Sequence, residues 1–335
     1  MRLFGKKEEE EIDEEELIEE KLPSRRFKDL KPENRKKRVV PLKPWGKRER
    51  LIVLWVLLGT IIASGTLAAS ARSWKLPGLP KLTMPSFNLF KEETIIVGGK
   101  LGADKEKKAR DVINAFSQET KSLSGVYALY VVELTGGATY GVNHSQVLQA
   151  ASLIKLPIMS MVYKKYEDGK IDIDKKVPGS TATYRELVEA MGKRSDNSAQ
   201  ILLVKSFGQE EIQKYIDSID MTKTSLYDNE TAPEDIGEFF KKLWGGELVS
   251  EKSRGEIFEY LTNTIYEEHL TAGIPEGVQV AHKYGREVHV VNDTGIVFTK
   301  EPFVIVIMSD GVVESEADEV FPTLSRVVYQ EVLKE

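Results

Sequence analysis

The chain of 335 residues contains no cysteine. That excludes disulfides, thiolate catalysis and cysteine-ligated metal centres. The histidines are few as well, and His144, His269, His282 and His289 show no metal-ligand spacing. Neither a metal nor a cofactor is therefore expected. An excess of basic charge is missing too, because 47 Lys and Arg stand against 53 Asp and Glu, for a formal net charge of −6. Nucleic acid is accordingly not expected as a partner. There are no internal repeats. Long uncharged runs are scarce, and the one that stands out is 51–71.

That run is about as long as the hydrocarbon core of a bilayer requires of a helix. What precedes it is charged in two blocks. Residues 1–20 are dominated by acid and 21–50 by base, with Arg35-Lys36-Lys37-Arg38 just upstream of the apolar run. Neither block has the apolar residues to bury a core, so 1–50 reads as a disordered charged tail. Positive charge before the run predicts a single-pass membrane protein with a cytoplasmic N-terminus and the remainder outside. The basic stretch would rest on anionic headgroups. A cleaved signal peptide is the competing reading, since Ala69-Ser70-Ala71 resembles a cleavage site. The long polar segment upstream and the length of the run favour an uncleaved anchor. Residues 72–92, with Pro77, Pro80 and Pro85, read as a stalk, and 93–335 as the folded domain.

Within that domain the periodicity is mixed. Helical spacing of Ala109, Val112, Ile113 and Phe116 predicts a helix over 104–120. A buried strand over 125–132, a turn at Thr135-Gly136-Gly137 and a returning strand over 138–142 follow. Helices are expected over 184–191, 199–207, 209–218, 233–243 and 250–262, with Pro233 at a first helical position. Strands return at 278–283, 288–298 and 303–308, and a helix closes the chain over 315–333. Strands at both ends around a helical middle predict an α+β fold: an antiparallel sheet flanked by helices, with an inserted all-helical lobe.

Three short segments carry candidate chemistry. In Ala151-Ser152-Leu153-Ile154-Lys155, ahead of the apolar run 156–163, Ser152 and Lys155 fall on one face of a helix. A hydroxyl needs a neighbouring base to become a nucleophile, and burial or a helix N-terminus lowers a lysine pKa enough to provide one. The alternative is an ordinary helix start with Ser152 as cap and Lys155 solvated. Ser195-Asp196-Asn197 sits at a helix junction and reads either as a proton relay with an amide-binding side chain or as a capping turn. Lys283-Tyr284-Gly285 ends an apolar strand and reads either as a charged strand beside a substrate or as a plain strand tip. His282, next to Lys283, is expected to line the same cleft.

The order Ser-x-x-Lys, Ser-Asp-Asn, Lys-x-Gly resembles that of class A β-lactamases and penicillin-binding proteins, and most closely the class A β-lactamase-like branch. The resemblance spans 107–335 and includes Thr231-Ala232-Pro233 and Asn292-Asp293-Thr294-Gly295-Ile296. It implies a serine hydrolase acting through an acyl-enzyme on a β-lactam or a peptidoglycan stem peptide. Ser152 would be the nucleophile, Lys155 its base, and Ser195 the relay to the leaving nitrogen. Asn197 would hold the substrate amide, and Lys283 would supply positive potential. The backbone N–H groups of Ser152 and Arg286 would form the oxyanion hole.

Two departures qualify the implied activity. Tyr284 replaces the small hydroxyl residue of the third motif, so it either fills the pocket or turns elsewhere, with Arg286 as a substitute charge for a substrate carboxylate. Residues 221–233 are too short for the loop that carries the family's water-activating glutamate. Glu230 is the candidate for that role, against the alternative of a solvated loop acid. Fast β-lactam hydrolysis is therefore not expected, and peptidase- or esterase-like turnover fits better. The competing function is a binding or sensing module at the cell envelope that retains the fold without turnover.

Overall fold

The structure, a computed structural model, describes residues 103–334, the backbone of 94–97 and, nearer the N-terminus, residues 48, 51, 53–60 and 64. The chain divides into two units, Met1–Ser86 and Phe87–Glu335. In the first, residues 51 and 53–60 are helical, with side chains such as Leu54 and Trp55 exposed. Among the described residues no helix is long and apolar enough to cross a membrane. The rest of the span predicted over 51–71, nearly all of the tail and the stalk lie outside the described residues.

The second unit is built on a six-stranded antiparallel sheet. In chain order its elements are β1 (Thr94–Val97), α1 (Ala103–Thr120), β2 (Val126–Glu133), β3 (Thr139–Val142), β4 (Leu148–Gln149), a 3₁₀ turn (Ala151–Ile154) and α2 (Lys155–Glu167). There follow α3 (Tyr184–Arg194), α4 (Asn197–Phe207), α5 (Gln209–Ser218), β5 (Glu230–Thr231), α6 (Pro233–Gly245) and α7 (Glu251–Tyr260). The chain closes with β6 (Gln279–Glu287), β7 (Val290–Phe298), β8 (Phe303–Asp310) and α8 (Glu314–Leu333). The sheet order is β1-β3-β2-β8-β7-β6, so β6 is an edge strand.

Alternation along the strands sends successive side chains into two separate cores. Ala128, Tyr130 and Val132 of β2 join Val304, Val306 and Met308 of β8 on the face covered by the helical lobe. Tyr127, Leu129 and Val131 join Phe303, Ile305 and Ile307 on the face covered by α1 and α8. On the lobe side α6 lies against β2 at Gly237, where a Cβ would overlap the Tyr130 ring. The α+β architecture expected from the sequence is thus the observed one. The element assignments hold to within a few residues, with one extension that matters: the strand expected to end at 283 runs on to Glu287 and turns through a tight hairpin into β7. The short pair β4–β5 has no counterpart in the periodicity, because two-residue strands carry too few side chains to show one.

Candidate functional site

Ser152 is not in an α-helix. It sits in the 3₁₀ turn, and α2 begins at Lys155. In a 3₁₀ turn, residues i and i+3 eclipse. Ser152 and Lys155 therefore stack directly, with Nζ 2.7 Å from Oγ. Ser152 is not an N-cap, because that position falls to Ala150 for the turn and to Ile154 for α2, and neither makes a side-chain capping bond. Ala151 has φ +48°, a left-handed conformation that costs a non-glycine residue about 1 kcal/mol or more and redirects the chain into the turn. Beneath it, the buried Asn292 of β7 donates through Nδ2 to Gln149 O at 2.9 Å and Ala150 O at 3.3 Å. The nucleophile's backbone is thereby tied to the sheet.

The second segment is a helix-to-helix corner. A capping box of Thr183 and Glu186 opens α3. Ser195 ends it at φ +54°, and the Asp196 side chain accepts from Ala199 N–H to open α4. The left-handed corner points Ser195 and Asn197 back at Lys155. Lys155 Nζ donates to Asn197 Oδ1 at 2.6 Å and lies 3.5 Å from Ser195 Oγ.

The third segment is the middle of β6, not its end. Lys283 Nζ donates to Ser195 Oγ at 2.9 Å and to Tyr284 O at 2.7 Å. Ser195 Oγ thus lies between two amines. A Cβ on Gly285 would stand 3.0 Å from Ser152 N and 3.3 Å from Ala150 O, so the glycine lets the strand approach the nucleophile's backbone closely. His282 N–H donates to Leu261 O at 2.7 Å, on the side away from β7. Backbone groups of a strand alternate sides in the plane of the sheet. The N–H and C=O of Tyr284 and Arg286 therefore face the edge of β6 that β7 does not cover.

Both amines are nearly inaccessible, each 1% exposed. Burial pushes Lys155 down to about 8, against the opposing pull of Asp196 and Glu287. Burial also pushes Lys283 down, to about 7, with repulsion from Lys155 adding to the effect and Asp293 opposing it. No carboxylate forms an ion pair with either among the described residues. Two weakly basic amines, two hydroxyls and an amide oxygen in one hydrogen-bonded chain can move a proton from one hydroxyl to the other.

Two expectations need correction. Arg286 does not supply a charge to the cleft, because its guanidinium is held by Asp318 at 2.7 Å, Glu314 at 3.3 Å and the Tyr284 hydroxyl at 3.1 Å. His282 does not line the cleft. It is 0% exposed, with Nδ1 2.8 Å from Asp293 Oδ1 and Nε2 3.2 Å from Glu267 Oε1. Both errors have one cause: even-numbered residues of β6 face the α8 side of the sheet, while Lys283 and Gly285 face Ser152. Tyr284 follows the same parity. Its ring stacks on Tyr266 at 5.0 Å and meets the His269 ring at a tilt at 4.5 Å, within the α8-side core. The ring has turned elsewhere rather than into the space above Ser152.

Glu230 is brought close in the backbone and not in the side chain. It pairs with Gln149, and Ala150 N–H donates to the neighbouring Asn229 O at 2.8 Å. Its carboxylate is exposed and bonds to none of the site groups among the described residues. The sequence reading missed Asn292 as a tether, the His282–Asp293–Glu267 cluster and Glu287. A hint lay in Asn292-Asp293, two polar residues inside an otherwise apolar strand.

A model of the Beta-lactamase enzyme family matches residues 106–332, and the chain belongs to that family. No curated protein sequence matches it. Among solved structures, PBP-A is 25% identical with a TM-score of 0.62, over 68% of this chain and 97% of its own. A PBP-A variant described as an acyl-enzyme complex with penicillin G is 23% identical, TM-score 0.62, over 69% and 97%. The β-lactamase from Sphaerobacter thermophilus is 21% identical, TM-score 0.61, over 68% and 98%. The fold and the family are those of a class A β-lactamase-like serine hydrolase.

Proposed function

We propose that this protein acylates Ser152 with a β-lactam or a peptidoglycan stem peptide, on the outer side of a membrane to which 51–71 anchors it. The observation that carries the chemistry is the 2.7 Å approach of Lys155 Nζ to Ser152 Oγ, made by an amine whose pKa burial lowers to about 8. Neutral Lys155 takes the Ser152 proton as Oγ bonds to the substrate carbonyl carbon. The Ser152 and Arg286 N–H groups hold the oxyanion. The C–N bond then breaks, and the proton passes from Lys155 through Ser195 to the leaving nitrogen. Asn197 orients the substrate amide, and Lys283 keeps the potential around Ser195 positive. Water hydrolyses the ester to release the acyl group.

No carboxylate is placed in the cluster among the described residues, which favours slow release over rapid β-lactam destruction. The acyl-enzyme described for the PBP-A variant is in keeping with an accumulating adduct on this fold. The layout proposed for the rest of the chain is a cytoplasmic tail over 1–50, the anchor, a stalk over 72–92 and the hydrolase from 93.

The test is intact-mass measurement of the full chain, purified in detergent, after exposure to penicillin G and to an ester acyl donor. A covalent adduct mapped to Ser152 is expected with at least one. No adduct with either overturns the proposal in favour of a binding or sensing module. Protease accessibility of the domain in sealed, oriented vesicles tests the anchor.

A further inference from the structure

Lys283, Gly285 and Glu287 share one face of β6, and their order along the strand has chemical meaning. Lys283 bonds to Ser195, the relay to the leaving nitrogen, so its end of the cleft is the leaving-group side. Gly285 stands over Ser152. Glu287, two residues on toward the β7 hairpin, is therefore on the acyl side. It pairs with Val290 in regular register, so no bulge breaks the alternation before it. Its side chain is exposed and makes no ion pair among the described residues. Its charge is nonetheless felt at the Lys155 ammonium. The neighbouring cation, Arg286, is neutralised on the opposite face by Asp318 and Glu314. The acyl side of the cleft thus presents one uncompensated carboxylate and no free guanidinium from β6.

We infer that Glu287 selects acyl donors carrying a positive charge on the acyl side, such as a peptide with a basic residue before the scissile bond. This rests on the reading of Ser152 as an acylated nucleophile. The ammonium of the donor would sit beside the Glu287 carboxylate while its carbonyl lies against Ser152 and Arg286. An anionic group in that position would be repelled.

Three penicillins with one nucleus separate the two claims: ampicillin has an ammonium on its side chain, penicillin G a neutral one and carbenicillin a carboxylate. Second-order acylation rates of the full chain in detergent are expected to fall in that order, spanning about ten-fold at low salt, the scale of two partly exposed charge effects. The spread should shrink at about 1 M salt, where the screening length is about 3 Å. Glu287→Gln should bring the ampicillin-to-carbenicillin ratio to about two-fold or less, and Glu287→Lys should reverse the order. Adducts on Ser152 with a ratio unchanged in both variants overturn the inference and leave the acyl-transfer reading intact. No adduct with any of the three overturns both.

Discussion

His282 and Lys283 are consecutive residues of β6, and both are buried bases, yet they meet opposite surroundings. Burial alone would push His282 down, but Asp293 and Glu267 outweigh it and raise the imidazole to about 9. Burial pushes Lys283 down to about 7, and the neighbouring amine of Lys155 adds to the fall. A cation between two carboxylates is fixed in charge and place. An amine denied such a partner titrates close to neutral pH, where it can gain or lose a proton. One strand, by alternating its side chains, holds a structural ion cluster on one face and reactive groups on the other.

Breaking the reactive face has the largest expected effect. Ser152→Ala should abolish the adduct, and Lys155→Met should slow acylation by about a thousand-fold or more, read by intact mass and stopped-flow kinetics. Breaking the structural face acts on stability instead. Asp293→Asn leaves a buried imidazole with one weakened partner and frees the Leu270 N–H, which donates to Asp293 Oδ2 at 3.0 Å. A loss of about 3–5 kcal/mol is expected in denaturant unfolding of the full chain. A loss below about 1 kcal/mol would show that the cluster holds little.

The pH dependence sharpens the contrast, because the two faces pull stability in opposite directions. His282 has a folded pKa above its unfolded value, so its contribution is complete below about pH 6.5 and is lost as pH rises through about 9. Lys155 and Lys283 have folded values below their unfolded ones, so they bind fewer protons when folded and their contribution rises with pH from about 7 toward 10. Unfolding midpoints of His282→Gln should therefore rise with pH relative to the parent between about pH 6.5 and 9. Acylation itself should climb as pH passes through 7 to 8, following neutral Lys155. A flat profile would remove Lys155 as the base. The smallest effect is expected for Glu230→Gln, whose rate of acyl release should change by less than about two-fold if the exposed carboxylate is solvated.

Much of the fold was legible because its elements are long. Strands over 125–132 and 303–308 and helices over 104–120 and 315–333 carry enough side chains to display their period. The pairing of Ser152 with Lys155 was legible because a spacing of three is local, although the 3₁₀ turn, not an α-helix, achieves it. Arg286 and His282 were misjudged because nothing local says which face of a strand meets the nucleophile. That depends on where β6 runs, and the strand continued to Glu287 past the polar residues that seemed to end it. Glu267, Asp293 and Asp318 reach their partners from 15, 11 and 32 residues away, separations at which sequence pattern holds no register.

The sequence by itself determined the three motifs, the α+β alternation of elements and the absence of any cysteine chemistry, because each follows from residue type and short spacing. The tertiary structure decided which side chains of β6 face Ser152, the fate of Tyr284 and Arg286, and the basicity of the two lysines. The reason is physical: a pKa and a hydrogen bond depend on burial and on neighbours, and neighbours across a sheet exist only after the chain has folded.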